Sequence, residues 1–162
     1  MLKKYSFFLA VLLLGIICLA PIMAQEEYIT LETLGITPFA QDTAVEIDGI
    51  AFNILKGYGE YSERAFDNET IQMGDEKYIQ SRHEYKNDDL NSISIVVYHE
   101  ENFSEDSIDD IYIGDNTVKK TINGHTGYLG HDDDSYTFKY MKDRKVIVLT
   151  VDDESILPSV IV

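Results

Sequence analysis

The sequence predicts an α+β domain built on an antiparallel, meander-like sheet, with one or two short helices packed on it and an N-terminal signal or anchor helix before it. Three observations support this prediction: apolar and polar residues alternate in several short runs, Asp-Gly and Asn-Gly pairs lie between such runs, and an apolar leader precedes them. We divide the chain into a leader at 1–24, a linker at 25–43 and a single α+β domain at 44–162.

The leader has the layout of a secretory signal peptide. It begins with Lys3 and Lys4, continues with an almost unbroken apolar run that Pro21 ends, and offers the small residue Ala24 before a polar stretch. We predict cleavage near Ala24, which makes the protein secreted or displayed on the cell surface. The alternative is an uncleaved membrane anchor, because the segment from Tyr5 to Ala24 is just long enough to cross a bilayer.

The chain contains one cysteine, Cys18, and it lies in the leader. Processing as a lipoprotein at Cys18 is disfavoured, because Ile17 stands where such sites have a small residue. Removal of the leader leaves no cysteine, which excludes disulfides, thiol nucleophiles, thiolate zinc sites and iron–sulfur ligation from the exported part. The domain must therefore be held together by its own core or by bound ions.

The domain begins with a predicted β-hairpin around Asp48-Gly49. The alternating apolar residues that flank this pair are Val45, Ile47, Phe52 and Ile54. An Asp-Gly pair between alternating runs is a strong hairpin signal, because glycine accepts positive φ and aspartate tolerates it.

The rest of the sheet is predicted as a series of short strands. Alternation places strands at 93–97 and 136–140, and the segment 118–122 precedes Asn123-Gly124, a second hairpin signal of the same type. The run 146–149 is apolar on both faces, which predicts a strand in the centre of the sheet.

Two segments are predicted as short helices. The segment 104–111 begins with an N-capping serine followed by acidic residues, and its two isoleucines fall on one face. The segment 152–160 opens with three acidic residues, and Pro158 limits its length.

The charge of the chain is strongly negative. It holds 29 Asp and Glu against 13 Lys and Arg, for a formal net charge of −16. A nucleic-acid partner is not expected, because phosphate binding requires a basic face. The more neutral section 116–162 carries Lys119, Lys120, Lys139, Lys142, Arg144 and Lys145. We interpret this section as a surface for an acidic envelope polymer or for the acidic part of another protein.

An acidic cluster is the first candidate for ion binding. Its members are Glu100, Glu101, Glu105, Asp106, Asp109 and Asp110. Carboxylates at helical spacing can converge on a calcium ion, although the spacing does not match an EF-hand loop. A solvated acidic face is the preferred interpretation, and a calcium-binding surface domain is an alternative.

A second cluster combines His125 and His131 with the acidic run 132–134. These side chains suit zinc, and a metal-dependent envelope hydrolase is therefore another alternative. The acidic run falls where a hairpin must turn, which favours a structural role instead. The sequence lacks HExxH, GxSxG, SxxK, phosphate-loop and GxGxxG patterns. We therefore predict no enzyme and assign no catalytic, cofactor-binding or metal-binding residue.

Two triplets match the acceptor pattern for N-glycosylation, which has meaning only in an exported domain. They are Asn68-Glu69-Thr70 and Asn102-Phe103-Ser104.

Three stretches of the domain resemble small uncharacterised secreted or envelope proteins, chiefly of methanogenic archaea. They are Ile-Asp-Gly-Ile-Ala-Phe-Asn-Ile at 47–54 with Gly57-Tyr58 just after it, Lys-Thr-Ile-Asn-Gly-His-Thr-Gly-Tyr-Leu at 120–129, and Tyr-Thr-Phe-Lys-Tyr at 136–140. This chain has Leu55-Lys56 where that family has proline before the Gly-Tyr pair. The resemblance implies an exported α+β domain and carries no activity. A more distant analogy, at the level of the fold, is to antiparallel sandwich domains of the PsbP and Mog1 type, which are mainly binding modules.

The sequence therefore predicts a non-enzymatic secreted or cell-envelope domain that binds or spaces envelope components. An envelope polymer or protein is the expected partner, and contact with a membrane is expected only through residues 1–24.

Overall fold

The computed structural model describes residues 28–73, 76–99 and 117–162. Its strands are β1 (Thr43–Ile47), β2 (Ile50–Ile54), β3 (Gly59–Glu60), β4 (Phe66–Met73), β5 (Glu76–Lys86), β6 (Ser92–His99), β7 (Val118–Ile122), β8 (His125–Asp132), β9 (Ser135–Lys142) and β10 (Lys145–Val151). The predicted leader at 1–24 and the predicted helix at 104–111 lie outside the described residues.

The strands form two antiparallel sheets. β1 and β2 form a two-stranded sheet. The other eight described strands form a main sheet, in which seven follow the order β3-β5-β6-β10-β9-β8-β7. β4 pairs with β5 on the same edge as β3, so these two strands follow one another along the border of the sheet. The predicted antiparallel sheet is confirmed, and the strands β7 to β10 form the predicted meander.

Both predicted hairpins are present and have the backbone conformation that their sequences favour. Asp48 and Gly49 have φ values of 48° and 74°, and Asn123 and Gly124 have φ values of 47° and 83°. Two successive residues with positive φ make a turn whose twist matches that of the flanking strands. The Asp-Gly and Asn-Gly pairs therefore set the register of β1 with β2 and of β7 with β8.

The apolar run at 146–149 lies in β10, in the middle of the main sheet, as predicted. β10 is hydrogen-bonded to β6 on one side and to β9 on the other. Val146, Ile147, Leu149 and Val151 are all fully buried. A strand with buried residues on both faces has no need of polar alternation, which explains its continuous apolar sequence.

The structure describes one short α-helix, and the described fold is dominated by the sheet. The predicted helix at 152–160 is divided into a 3-10 turn at Glu154–Ile156 and one short α-helix, α1 (Leu157–Val160). Pro158 stands in the first turn of α1, where its missing N–H does no harm. No described helix has the length and apolar character required to span a membrane.

The core lies between the main sheet, the β1–β2 hairpin and α1. Phe52 from the hairpin, Leu149 from the main sheet and Leu157 from α1 are each 0% exposed and belong to one cluster. A smaller cluster on the opposite face of the sheet contains Tyr78 and Val146.

The segment predicted as a linker is partly packed against the domain. Leu31 and Ile36 are buried. The Phe39 N–H donates to the Tyr58 carbonyl at 2.8 Å, and the Gly57 N–H donates to the Phe39 carbonyl at 3.0 Å. The packed part of the described chain therefore starts well before residue 44.

Candidate functional site

Turns that are far apart in the sequence meet at one end of the main sheet. Lys86 pairs with Ser92 across the turn between β5 and β6. Val151, at the end of β10, pairs with Ile93 on one side and with Tyr136 on the other. The turn between β8 and β9 lies at this same end, because Tyr136 is close to the start of β9.

We call the carboxylates at this end the acidic rim. Its members are Asp88 and Asp89 in the β5–β6 turn, Asp132, Asp133 and Asp134 in the β8–β9 turn, and Asp152 and Asp153 after β10. Neighbouring strands lie about 4.8 Å apart, so the rim extends over about 19 Å from β5 to β8. All of these residues are exposed except Asp152, which is half-buried.

Two members of the rim also have local structural roles. Asp152 accepts a hydrogen bond from the Ser92 N–H at 2.5 Å, which joins β6 to the end of β10. Asp153 accepts from the Ser155 N–H at 2.8 Å and caps the 3-10 turn. The hydrogen bonds from Ser155 lower the pKa of Asp153 and keep its carboxylate charged.

The buried Tyr58 lies within the electrostatic field of the rim. Burial raises the pKa of the Tyr58 hydroxyl, and the negative charges of Asp152, Asp153 and Asp89 raise it further. Asp89 of the β5–β6 turn and the two carboxylates after β10 therefore act on the same buried hydroxyl.

A cavity of about 420 Å³ opens beside the rim. Leu31, Ile36 and Pro38 supply apolar walls, while Glu32 and Asp88 supply carboxylates. Asp88 belongs to both the cavity and the acidic rim. Apolar walls with carboxylates suit a cation carried on an apolar stem, such as the side chain of lysine or arginine.

A histidine held between two carboxylates lies at the β3–β4 edge of the sheet. His83 Nδ1 is 2.5 Å from Glu60 Oε1, and His83 Nε2 is 3.1 Å from Asp67 Oδ1. Ionised carboxylates can only accept hydrogen bonds, so both ring nitrogens must donate. The doubly protonated imidazolium is therefore the form that satisfies this arrangement, and it joins β5 to β3 and β4.

A β-bulge in β4 brings Asp67 to His83. The register of β4 with β5 passes from Phe66 opposite Arg82 to Glu69 opposite Gln80, so that two residues of β4 face Ser81 alone. A bulge of this kind redirects side chains that regular alternation would place elsewhere.

The pKa of His83 is raised above its usual value. Burial alone lowers this pKa, but the hydrogen bonds to Glu60 and Asp67 and the charges of these carboxylates outweigh that effect. Arg82 and Glu84, on either side of His83, pair with each other at 3.6 Å.

The raised pKa of His83 predicts a pH-dependent effect of its replacement. A raised pKa in the folded state stabilises the fold below the unfolded value of about 6.5, and this stabilisation is lost as pH rises through the folded-state pKa. We expect His83→Gln to cost about 1 kcal/mol more at about pH 5.5 than at about pH 9, since both carboxylate partners are partly exposed. Chemical denaturation of both proteins at each pH measures the difference.

His125→Gln is the matched control for this experiment. The His125 ring packs against Tyr140 with 5.0 Å between ring centroids, and among the described residues no carboxylate pairs with it. A pH dependence of equal size in the two variants would contradict the assignment of the effect to His83.

A second histidine–carboxylate contact lies at the end of the main sheet that is opposite the acidic rim. His99 Nδ1 is 2.6 Å from Asp48 Oδ2, and Lys145 Nζ is 3.2 Å from Asp48 Oδ1. The Asp48 carboxylate therefore contacts one side chain of β6 and one of β10. This contact connects the turn of the β1–β2 hairpin to the main sheet, and we assign it a structural role.

The structure does not bring His125 and His131 together. Both lie in β8, six residues apart, which corresponds to about 20 Å along one strand. His131 packs against Tyr136 with 4.5 Å between ring centroids. Among residues 28–73, 76–99 and 117–162, no group of three His, Cys, Asp or Glu side chains is arranged so that it could hold a metal ion. The acidic cluster from Glu100 to Asp110 lies outside the described residues.

Most basic residues of the section 116–162 are engaged within the chain. Lys120 pairs with Glu154, Lys142 donates to the Val162 carbonyl, Lys145 pairs with Asp48, Lys139 lies over the ring of Tyr128, and Arg144 also has a partner. Lys119 is exposed. Contacts inside the domain therefore engage five of these six basic residues.

Sequence reasoning missed both the rim and the histidine between carboxylates. The sequence predicts a turn at 132–134, but the convergence of the rim carboxylates depends on the strand order. The partners of His83 lie 23 and 16 residues away, and no local pattern marks such a contact. The chain has no significant match among protein-family models, curated proteins or solved structures.

Proposed function

We propose that this protein is a non-enzymatic domain that works outside the cytosol and binds a cationic segment of an envelope component through its acidic rim and the adjoining cavity. The convergence of carboxylates from separate turns beside a cavity that shares Asp88 carries this proposal. The signal-like leader and the absence of known catalytic patterns from the sequence support its location and its non-enzymatic character.

The negative charge of the acidic rim favours a cationic partner. Most cations of the section 116–162 contact groups inside the chain, whereas the rim residues other than Asp152 are exposed at one end of the sheet. A surface of one sign steers an oppositely charged partner and suppresses partners of like charge. We therefore replace the acidic partner expected from the sequence with a cationic one.

The cavity beside the rim favours a cation that is carried on an apolar side chain. A lysine or arginine side chain can place its methylene groups against Leu31 and Ile36 while its charged end meets Glu32 or Asp88. A basic peptide segment of another envelope protein is the partner that this arrangement fits.

Binding of a fluorescent octalysine peptide to the purified protein tests the proposal. We expect binding at low salt that weakens as salt is added, because exposed charges are screened beyond about 10 Å at 0.1 M. The triple variant Asp132→Asn, Asp133→Asn and Asp134→Asn should weaken binding about tenfold, as each exposed pair contributes up to about 1 kcal/mol. Fluorescence anisotropy measures both effects.

A second triple variant provides the control for net charge. Glu46→Gln, Glu69→Gln and Asp143→Asn remove the same number of charges from exposed positions away from the rim. We expect this variant to bind nearly as well as the original protein. Equal losses in the two variants would show a response to overall charge, and a lack of binding at low salt would overturn the proposal.

A further inference from the structure

The bulge in β4 places a glycosylation triplet at the edge of the main sheet. Asp67 and Asn68 both face Ser81, and the Asn68 N–H donates to Ser81 Oγ at 3.0 Å. Asn68 has φ of 55°, a left-handed conformation that asparagine adopts more readily than most residues. Asn68 is followed by Glu69 and Thr70, which completes the Asn-x-Thr pattern.

The two residues of the bulge make different contacts. Both are exposed, and the Asp67 carboxylate is held by His83. Among the described residues, the Asn68 side-chain amide makes no hydrogen bond, and both Glu69 and Thr70 are exposed. A large group attached to this amide therefore displaces no core contact.

We propose that Asn68 is an N-glycosylation site. The Asn68 side-chain nitrogen forms a bond to the anomeric carbon of a sugar, the bond from that carbon to an isoprenoid-linked phosphate breaks, and the phosphate leaves with the electron pair. The amide nitrogen gives up one proton in this step. The donor is a lipid-linked oligosaccharide, and the inference rests on the export in the proposed function, because such modification is expected in exported proteins.

A glycan at this position also suits the architecture. β4 lies at the border of the main sheet, and an open strand edge can pair with another chain. Bulges and charged residues protect such edges in natural proteins. A bulky, soluble glycan beside Asp67 and Glu69 adds to the same protection.

The test uses the full chain in a host that glycosylates an exported reporter carrying Asn-Glu-Thr. Trypsin cleaves after Arg64 and Lys77, so Asn68 lies in the peptide 65–77 and is separated from Asn102. We expect mass spectrometry to find a glycan on this peptide in the exported protein. Asn68→Gln and Thr70→Val should each abolish it, whereas Thr70→Ser should retain it.

The outcomes separate this inference from the proposed function. An exported protein with an unmodified 65–77 peptide, in cells where the reporter is modified, would overturn the glycosylation site and leave the binding proposal intact. A full-length chain retained in the cytosol would overturn both. Loss of the glycan in the Thr70→Val variant, with unchanged unfolding behaviour, would support the site independently of any strain in the Asn68→Gln variant.

Discussion

Replacing Phe52 by alanine is expected to lower the free energy of unfolding by about 4 kcal/mol. Phe52 is 0% exposed and lies in β2, where it pairs with Val45 and forms an isolated bridge with Ile161. Among the described residues, the β1–β2 hairpin has no ladder of hydrogen bonds with the main sheet, so buried side chains attach it together with the contacts of Asp48 with His99 and Lys145. An isolated two-stranded hairpin is only marginally stable, and loss of this ring removes the largest of its fully buried side chains.

Denaturation of Phe52→Ala and of Phe66→Ala provides a matched comparison. Both changes delete the same atoms, but Phe66 is half-buried at the start of the edge strand β4. We expect Phe66→Ala to cost about 2 kcal/mol or less, in proportion to its smaller loss of buried surface. A Phe52→Ala variant with the midpoint of the Phe66→Ala variant would contradict the role assigned to Phe52.

The sequence was informative where short-range patterns determine the backbone. Asp48-Gly49 and Asn123-Gly124 predicted two hairpins, because these pairs tolerate the two positive φ values that such turns require. The turn at Asp143 and Arg144 also has two successive positive φ values, 51° and 61°, although it contains no glycine. There the pairing of β9 with β10 overrides the local preference of the residues.

The sequence was uninformative for the strands that build the histidine contact. β5 is the longest strand, yet most of its residues are polar, and His83 and Ser81 occupy positions where a core residue is expected. Hydrogen bonds from β3, β4 and β6 stabilise this strand in place of apolar burial. Neither apolar alternation nor turn residues in the sequence indicate hydrogen bonding from neighbouring strands, so β5 is not predicted from the sequence.

The acidic rim was also not predictable from local sequence patterns, because it combines residues from several turns. The acidic run 132–134 is typical of a turn, and the sequence identifies the β8–β9 turn correctly, whereas it predicts a helix from residue 152. Their arrangement along one end of the sheet follows from β10 lying between β6 and β9. A site assembled from turns therefore becomes visible only when strand order and register are known.

The close approach of β8 to β9 should make Gly127→Ala strongly destabilising. Gly127 pairs with Tyr140, and a Cβ atom at position 127 would lie 2.8 Å from the Cβ of Tyr140 and closer still to the Lys139 carbonyl oxygen. Both obstacles belong to the fixed part of β9, so relief requires the strands to separate. We expect a loss of about 3 kcal/mol or more in the free energy of unfolding.

Gly124→Ala separates this steric effect from the loss of glycine's conformational freedom. Gly124 has φ of 83° and no atom within 4 Å of an added Cβ, so its replacement costs only the strain of a left-handed residue, about 1–2 kcal/mol. Gly127 is not among the glycines with positive φ, and its cost must come from contact with β9. Urea denaturation should place the Gly127→Ala midpoint below that of Gly124→Ala. The reverse order would mean that β8 and β9 are not held as close together as the register of Gly127 with Tyr140 requires.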